Sequence, residues 1–157
     1  MAYATKEDKA IILAKIKDAA KELGIKATVT CSIKNLSTFK VNIKSCSIDL
    51  CANLIETCED KIASLKESGC YGVREMEELE TRLVRNINAR TRKESLEFSQ
   101  HNIEKCFSGQ ALEFMIKVRD AITFDYSDNS DVYRDYHDVS YYWDLDIGNN
   151  ANGFIVK

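Results

Sequence analysis

The chain has 157 residues, 45% of them hydrophobic and 30% charged, with a net charge of −3 and no proline. That length and composition fit one globular domain with a sizeable core, and the lack of proline with only six glycines disfavours flexible linkers. No apolar run approaches the roughly 20 residues of a membrane-spanning helix, and the polar start MAYATKEDKA is unlike a signal peptide, so a cytoplasmic protein is expected.

Thr5 is suited to cap a first helix. Behind it Ile12, Ile16, Ala19, Ala20 and Leu23 recur at helical spacing, and Gly24 supplies the stop. The period then changes to two. Ala27, Val29, Cys31 and Ile33 alternate with polar residues, and after the break KNLST so do Phe39, Val41 and Ile43. Two such strands across a short break predict a hairpin. Asp49 is placed to cap a second helix with Leu50, Leu54, Cys58, Ile62 and Leu65 as its stripe, ended at SGCYG. These segments predict a helix-hairpin-helix unit over residues 5–68.

A helical middle follows over 73–122. Met76, Leu79, Leu83 and Ile87 are predicted to face inward, with a break near residues 90–94. Leu96, Ile103 and Phe107 suggest that helix resumes there. Ser108 is placed to cap a last helix carrying Ala111, Phe114, Met115, Val118 and Ile122.

Residues 123–157 form an acidic, aromatic region. Between Tyr126 and Asp146 stand six aspartates and six aromatic rings, with Arg134 as the single lysine or arginine. Residues 122–157 carry a net −5, so the rest of the chain is slightly positive. SDNSD is turn chemistry, because Asp, Asn and Ser side chains bond to nearby backbone. Val139, Tyr141, Trp143, Leu145 and Ile147 then alternate with Ser140, Tyr142, Asp144 and Asp146, which predicts a strand with one apolar and one exposed acidic face. The predicted fold is α+β: a small antiparallel sheet, hairpin plus C-terminal strand, covered by several helices in one domain.

Several chemistries lack their motifs. There is no glycine-rich phosphate loop, no GxSxG elbow and no HExxH. Cys106 and His101 are five residues apart, which puts them on different faces of one helix. Six cysteines without a CxxC pair do not have zinc spacing, and Cys31, Cys51, Cys58 and Cys106 fall on apolar faces as reduced thiols would. A calcium loop starting at Asp125 would need glycine where Ser130 stands and glutamate where Tyr136 stands. Asp128, Asp131 and Asp135 could form a looser divalent site, but a solvated turn is the preferred reading of them. No cofactor, no metal and no enzymatic activity are expected.

Residues 107–156, FSGQALEFMIKVRDAITFDYSDNSDVYRDYHDVSYYWDLDIGNNANGFIV, resemble the C-terminal region of small proteins found on phages, prophages and plasmids. The resemblance is carried at 107–109, 128–131, 135–136, 138–139 and 146–148. The first half is similar to a large polyvalent protein-associated domain in its helix-strand-strand order. This resemblance supplies no catalytic residues and implies a mobile-element setting. With the acidic block, it leads to an expected non-enzymatic inhibitor of a host defence nuclease complex, protein or ribonucleoprotein, of the anti-CRISPR type. The predicted contacts are Asp128, Asp131, Tyr133, Asp135, Tyr136 and Asp138, with Asp144 and Asp146 behind them, mimicking DNA. For each of these residues alone, an ordinary surface or core role is also open. The alternative is a nucleic-acid-associated accessory protein acting through Arg82, Arg85, Arg90, Arg92 and Lys93, although neighbouring glutamates offset that helix and direct nucleic-acid binding is not expected. No membrane association is expected.

Overall fold

Thr5 caps the first helix as its position suggests: its hydroxyl accepts from the Asp8 amide at 2.9 Å. In this computed structural model the described residues are 2–99, 101–131, 133, 138–150 and 152–157. Helix α1 (Lys6–Glu22) gives way to Gly24 at φ +66, and strands β1 (Ala27–Lys34) and β2 (Thr38–Cys46) form the hairpin. Asn35 and Leu36 at its turn both have positive φ, the backbone hand that matches strand twist. Helix α2 (Leu50–Ser68) is capped by Asp49, which accepts from the Ala52 amide at 2.9 Å, and Gly69 ends it at φ +66. Helix α3 (Val73–Arg92) packs on α2 and stops at Lys93, a left-handed residue inside the predicted break. Strand β3 (Leu96–Phe98), the short helix α4 (Ile103–Cys106), helix α5 (Gly109–Ile122) and strands β4 (Tyr142–Ile147) and β5 (Ile155–Val156) complete the order.

The fold is α+β, but the sheet is mixed rather than antiparallel. Its order is β1–β2–β4–β3, with β5 also on β2. β1 and β3 run antiparallel to their neighbours, whereas β4 and β5 run parallel to β2. The reason is the connection. Four helices and β3 separate β2 from β4, long enough to bring the chain back to the same end of the sheet. A hairpin-length link would have forced the opposite direction.

β3 is the second departure. Leu96 is not in a resumed helix; it pairs opposite Ile147, and Phe98 opposite Leu145. Three residues hold too little alternation to announce a strand, and it is the open side of β4 that selects this conformation.

One face of the sheet is apolar. Phe39, Val41, Ile43, Leu145 and Ile147 are almost fully buried against Ile12, Ile16, Phe114, Met115 and Ile122. Each such side chain contributes about 1.5–3 kcal/mol on burial, so this layer dominates the stability. A smaller cluster of Ile62, Met76 and Leu79, with Leu65 and Leu83, joins α2 to α3. Ile87 does not belong to the inward stripe of α3: it is 42% exposed, and Asn86 is buried in its place. The stripe steps three residues from Leu83 to Asn86, as a 3.6-residue turn allows, whereas residue type pointed to Ile87.

Candidate functional site

The acidic region divides into a turn and a strand. In the turn, Asp128 accepts from the Ser130 amide at 3.0 Å and Asp131 accepts from the Tyr133 amide at 3.0 Å. These are Asx turns, in which a short side chain fixes its own backbone. The segment then closes on itself. The Asn129 amide donates to the Asp138 carbonyl at 2.8 Å, the Asp138 amide to the Ser130 hydroxyl at 2.9 Å, and Asp128 forms a bridge with Val139. The Ser140 amide also donates to the Ser127 carbonyl at 3.0 Å. Asp128 and Tyr133 are exposed, Tyr133 completely, while Asp131 and Asp138 are half-buried. The fold thus gathers Asp128, Asp131, Tyr133 and Asp138 on one turn. Asp135 and Tyr136 lie outside the described residues.

Tyr141 anchors the turn to the core. It is buried, its hydroxyl donates to the Ile122 carbonyl at 2.6 Å, and its ring meets Phe39 and Tyr126 edge-on at 5.0 and 5.5 Å. Burial pushes its phenol up to about 12. A large amphipathic residue just before β4 therefore ties the end of the acidic turn to the core.

On β4 the two candidate aspartates differ. Asp144 is half-buried, opposite Lys40 on β2, and its neighbour Tyr142 is 50% exposed. Asp146 is not on an exposed face: it is 5% exposed and paired with Lys40 Nζ at 3.0 Å. The sequence correctly assigns Asp146 to the polar side of the strand. It does not show that β4 is an interior strand, with β2 and β3 on either side to shelter that position. Asn42 and Glu97 stand opposite Asp146 on those strands. The Asp146 hydrogen bond and charge raise Lys40 above the ordinary lysine value, with Asp144 and Glu97 adding to the effect. Lys40 and Tyr142 were not among the predicted site residues. Tyr142 was findable from the alternation; Lys40 was not, because its partner is distant in sequence.

The arginine helix is interleaved with acids. Arg82 and Arg85 line a groove of about 550 Å³ with Arg74, Glu77 and Glu78. Arg74 is paired with Glu78 at 3.2 Å, and Arg90 with Asp49 at 2.9 Å. Arg92 and Lys93 are exposed at the helix end. The cations therefore do not form one continuous basic face.

All six cysteines are free, five buried and Cys70 exposed. Cys106 is buried and His101 exposed, so the two do not share one environment. Among the described residues no three His, Cys, Asp or Glu side chains converge as a metal site, and no helix is long and apolar enough to cross a membrane.

Comparison with known proteins found no matching family model, no similar curated protein and no similar solved structure.

Proposed function

We propose that this is a non-enzymatic mobile-element protein that inhibits a host defence nuclease complex, of the anti-CRISPR type, by occupying a basic nucleic-acid groove with its acidic turn. The observation that carries this reading is the closure of 127–130 on 138–140, beside which Asx turns set the solvent-exposed Asp128 and Tyr133 on a hydrogen-bonded backbone. Duplex DNA presents one charge per ~1.7 Å of axis, and short aspartates on fixed backbone hold negative charge at defined spacing with little entropy left to lose. An exposed tyrosine beside them offers the aromatic anchor common at interface centres. Asp144 and Tyr142 extend the surface along β4. The resemblance of residues 107–156 to phage and plasmid proteins supplies the setting. The arginine helix supports its rival less well, since Glu77, Glu78 and Asp49 stand among its cations.

The test is capture from nuclease-treated bacterial lysate, followed by competition with duplex DNA. A guide-RNA or multi-subunit nuclease complex should be retained and then displaced by DNA. Asp128→Asn with Asp131→Asn keeps the Asx-turn acceptor oxygens but removes both charges, and Tyr133→Ala removes a fully exposed ring; each should weaken retention at least about tenfold. Retention that neither DNA nor these variants alter would refute the reading. Salt-sensitive binding of nucleic acid itself would move the function to the arginine helix.

A further inference from the structure

We infer that the free edge of β1, together with the adjoining face of α1, is a receptor for an extended acidic peptide segment of a partner protein, which would add to the sheet beside β1. β1 ends the sheet on one side and, among the described residues, pairs with β2 alone. An edge strand leaves its outward N–H and C=O groups without a ladder partner. Proteins usually blunt such edges with charge, proline or distortion. Here Thr28, Thr30 and Ser32 are uncharged and exposed, proline is absent, and the one register irregularity lies between Thr28 and Val29. The stretch from Val29 to Ile33 is regular and uncharged, and the exposed Lys34 is the one charge in the strand, at its end.

Beside that edge runs a groove of about 1230 Å³ between α1 and β1, with Leu13, Ala14, Ala27 and Val29 in its apolar lining. Leu13 also lines a smaller hollow of about 420 Å³ that reaches Ala10 and Ile33, so the apolar strip continues along the strand. Lysines surround it. Lys17, Lys21, Lys26 and Lys157 stand along the larger groove, and Lys6 and Lys9 along the smaller. Asp18 is the sole acidic side chain among the described lining residues. Two other acids of α1 are engaged elsewhere: Glu22 pairs with Lys117 at 3.2 Å, and Asp8 accepts from the Thr5 hydroxyl at 2.6 Å.

This combination selects its occupant. An extended peptide would bond its backbone to β1 and turn every second side chain towards α1; where apolar and acidic residues take turns along that one face, the apolar ones seat in the groove and the carboxylates meet the lysine rim. A second copy fits poorly, because two-fold pairing of β1 with β1 would set one lysine rim against the other. Nucleic acid would satisfy the lysines but has no use for the strand edge or the apolar strip.

A fluorescein-labelled short peptide with threonine at every second position, and valine and glutamate taking turns at the positions between, titrated by anisotropy and by amide NMR, tests this. The expected result is saturable binding with shifts concentrated in the amides of residues 27–34. Lys17→Glu with Lys21→Glu, both on exposed helix surface, should weaken binding at least about tenfold, and so should N-methylation of alternate peptide residues along the edge that meets β1. Methylation keeps the charge and removes backbone donors, so equal binding of peptides methylated along either edge would overturn strand addition. Absence of binding, or displacement of the peptide by oligothymidine that binds more tightly, would overturn it as well.

Discussion

Gly148 shows how much one residue carries. It follows β4 at φ +73, and a Cβ there would lie 2.6 Å from the Gly153 carbonyl carbon and from the Phe154 nitrogen. Its amide donates to the Ile43 carbonyl at 2.9 Å, continuing β4's alignment with β2 before the chain loops out and returns as β5. The residues GNNANG at 148–153 are turn-forming types, but nothing in them tells that two stretches of backbone touch there. Gly148→Ala should therefore cost about 2–4 kcal/mol, the left-handed penalty plus a backbone clash. Gly69 also has a positive φ but open space around it, so Gly69→Ala should cost only about 1–2 kcal/mol. Urea unfolding of both variants checks this; an equal loss would mean that the loop simply gives way. Asp146 teaches a related lesson. Its residue type and its place on the polar side of the strand were legible, and its burial was not, because Lys40 comes from another strand.

At the scale of elements, the helices were the most legible parts. Thr5, Asp49 and Gly69 mark helix ends by local chemistry, and each acts in the structure as read. The hairpin was legible for the same reason: its alternation and turn lie within a short span. β3 and the parallel placement of β4 were not, since both are settled by distant partners. The α2–α3 pair also has an uneven interface. Asn86 sits in it at 1% exposure, with an amide nitrogen 3.8 Å from Cys58 Sγ and, among the described residues, no hydrogen-bond partner for its oxygen. Towards the connecting end, packing depends on the small cluster of Ile62, Met76 and Leu79. Amides at 62–80 should thus exchange with solvent sooner than those of β2 or α5, through local opening rather than global unfolding. Native-state hydrogen exchange measures this, and equal protection in all three regions would show that the pair opens only with the whole domain.

Across the whole molecule, buried protonated groups predict alkaline sensitivity. Burial pushes the Cys31 and Cys51 thiols from their ordinary 9.0 up to about 11, and Tyr141 up to about 12. The Asp146 hydrogen bond raises Lys40. Each folded value lies above the unfolded one, so the folded chain holds protons that the unfolded chain has already released. Their contribution is full below about pH 9 and is lost as pH rises through the folded values. For one thiol a two-unit rise corresponds to about 3 kcal/mol at complete deprotonation. The urea midpoint should stay level to about pH 8.5 and fall between 9 and 12, and Cys31→Ala with Cys51→Ala should flatten that fall. An unchanged slope in the double variant would show that the thiols are not responsible.

By itself the sequence determined the helices, the hairpin, the α+β class and the acidic character of residues 122–157, because caps, periodicity and charge act over a few residues. Tertiary structure alone decided that β4 lies inside a mixed sheet, that Asp146 is buried against Lys40, and that the lysines of α1 border an open strand edge. Those facts depend on which distant segments become neighbours, and that is set by the burial of the whole apolar face at once.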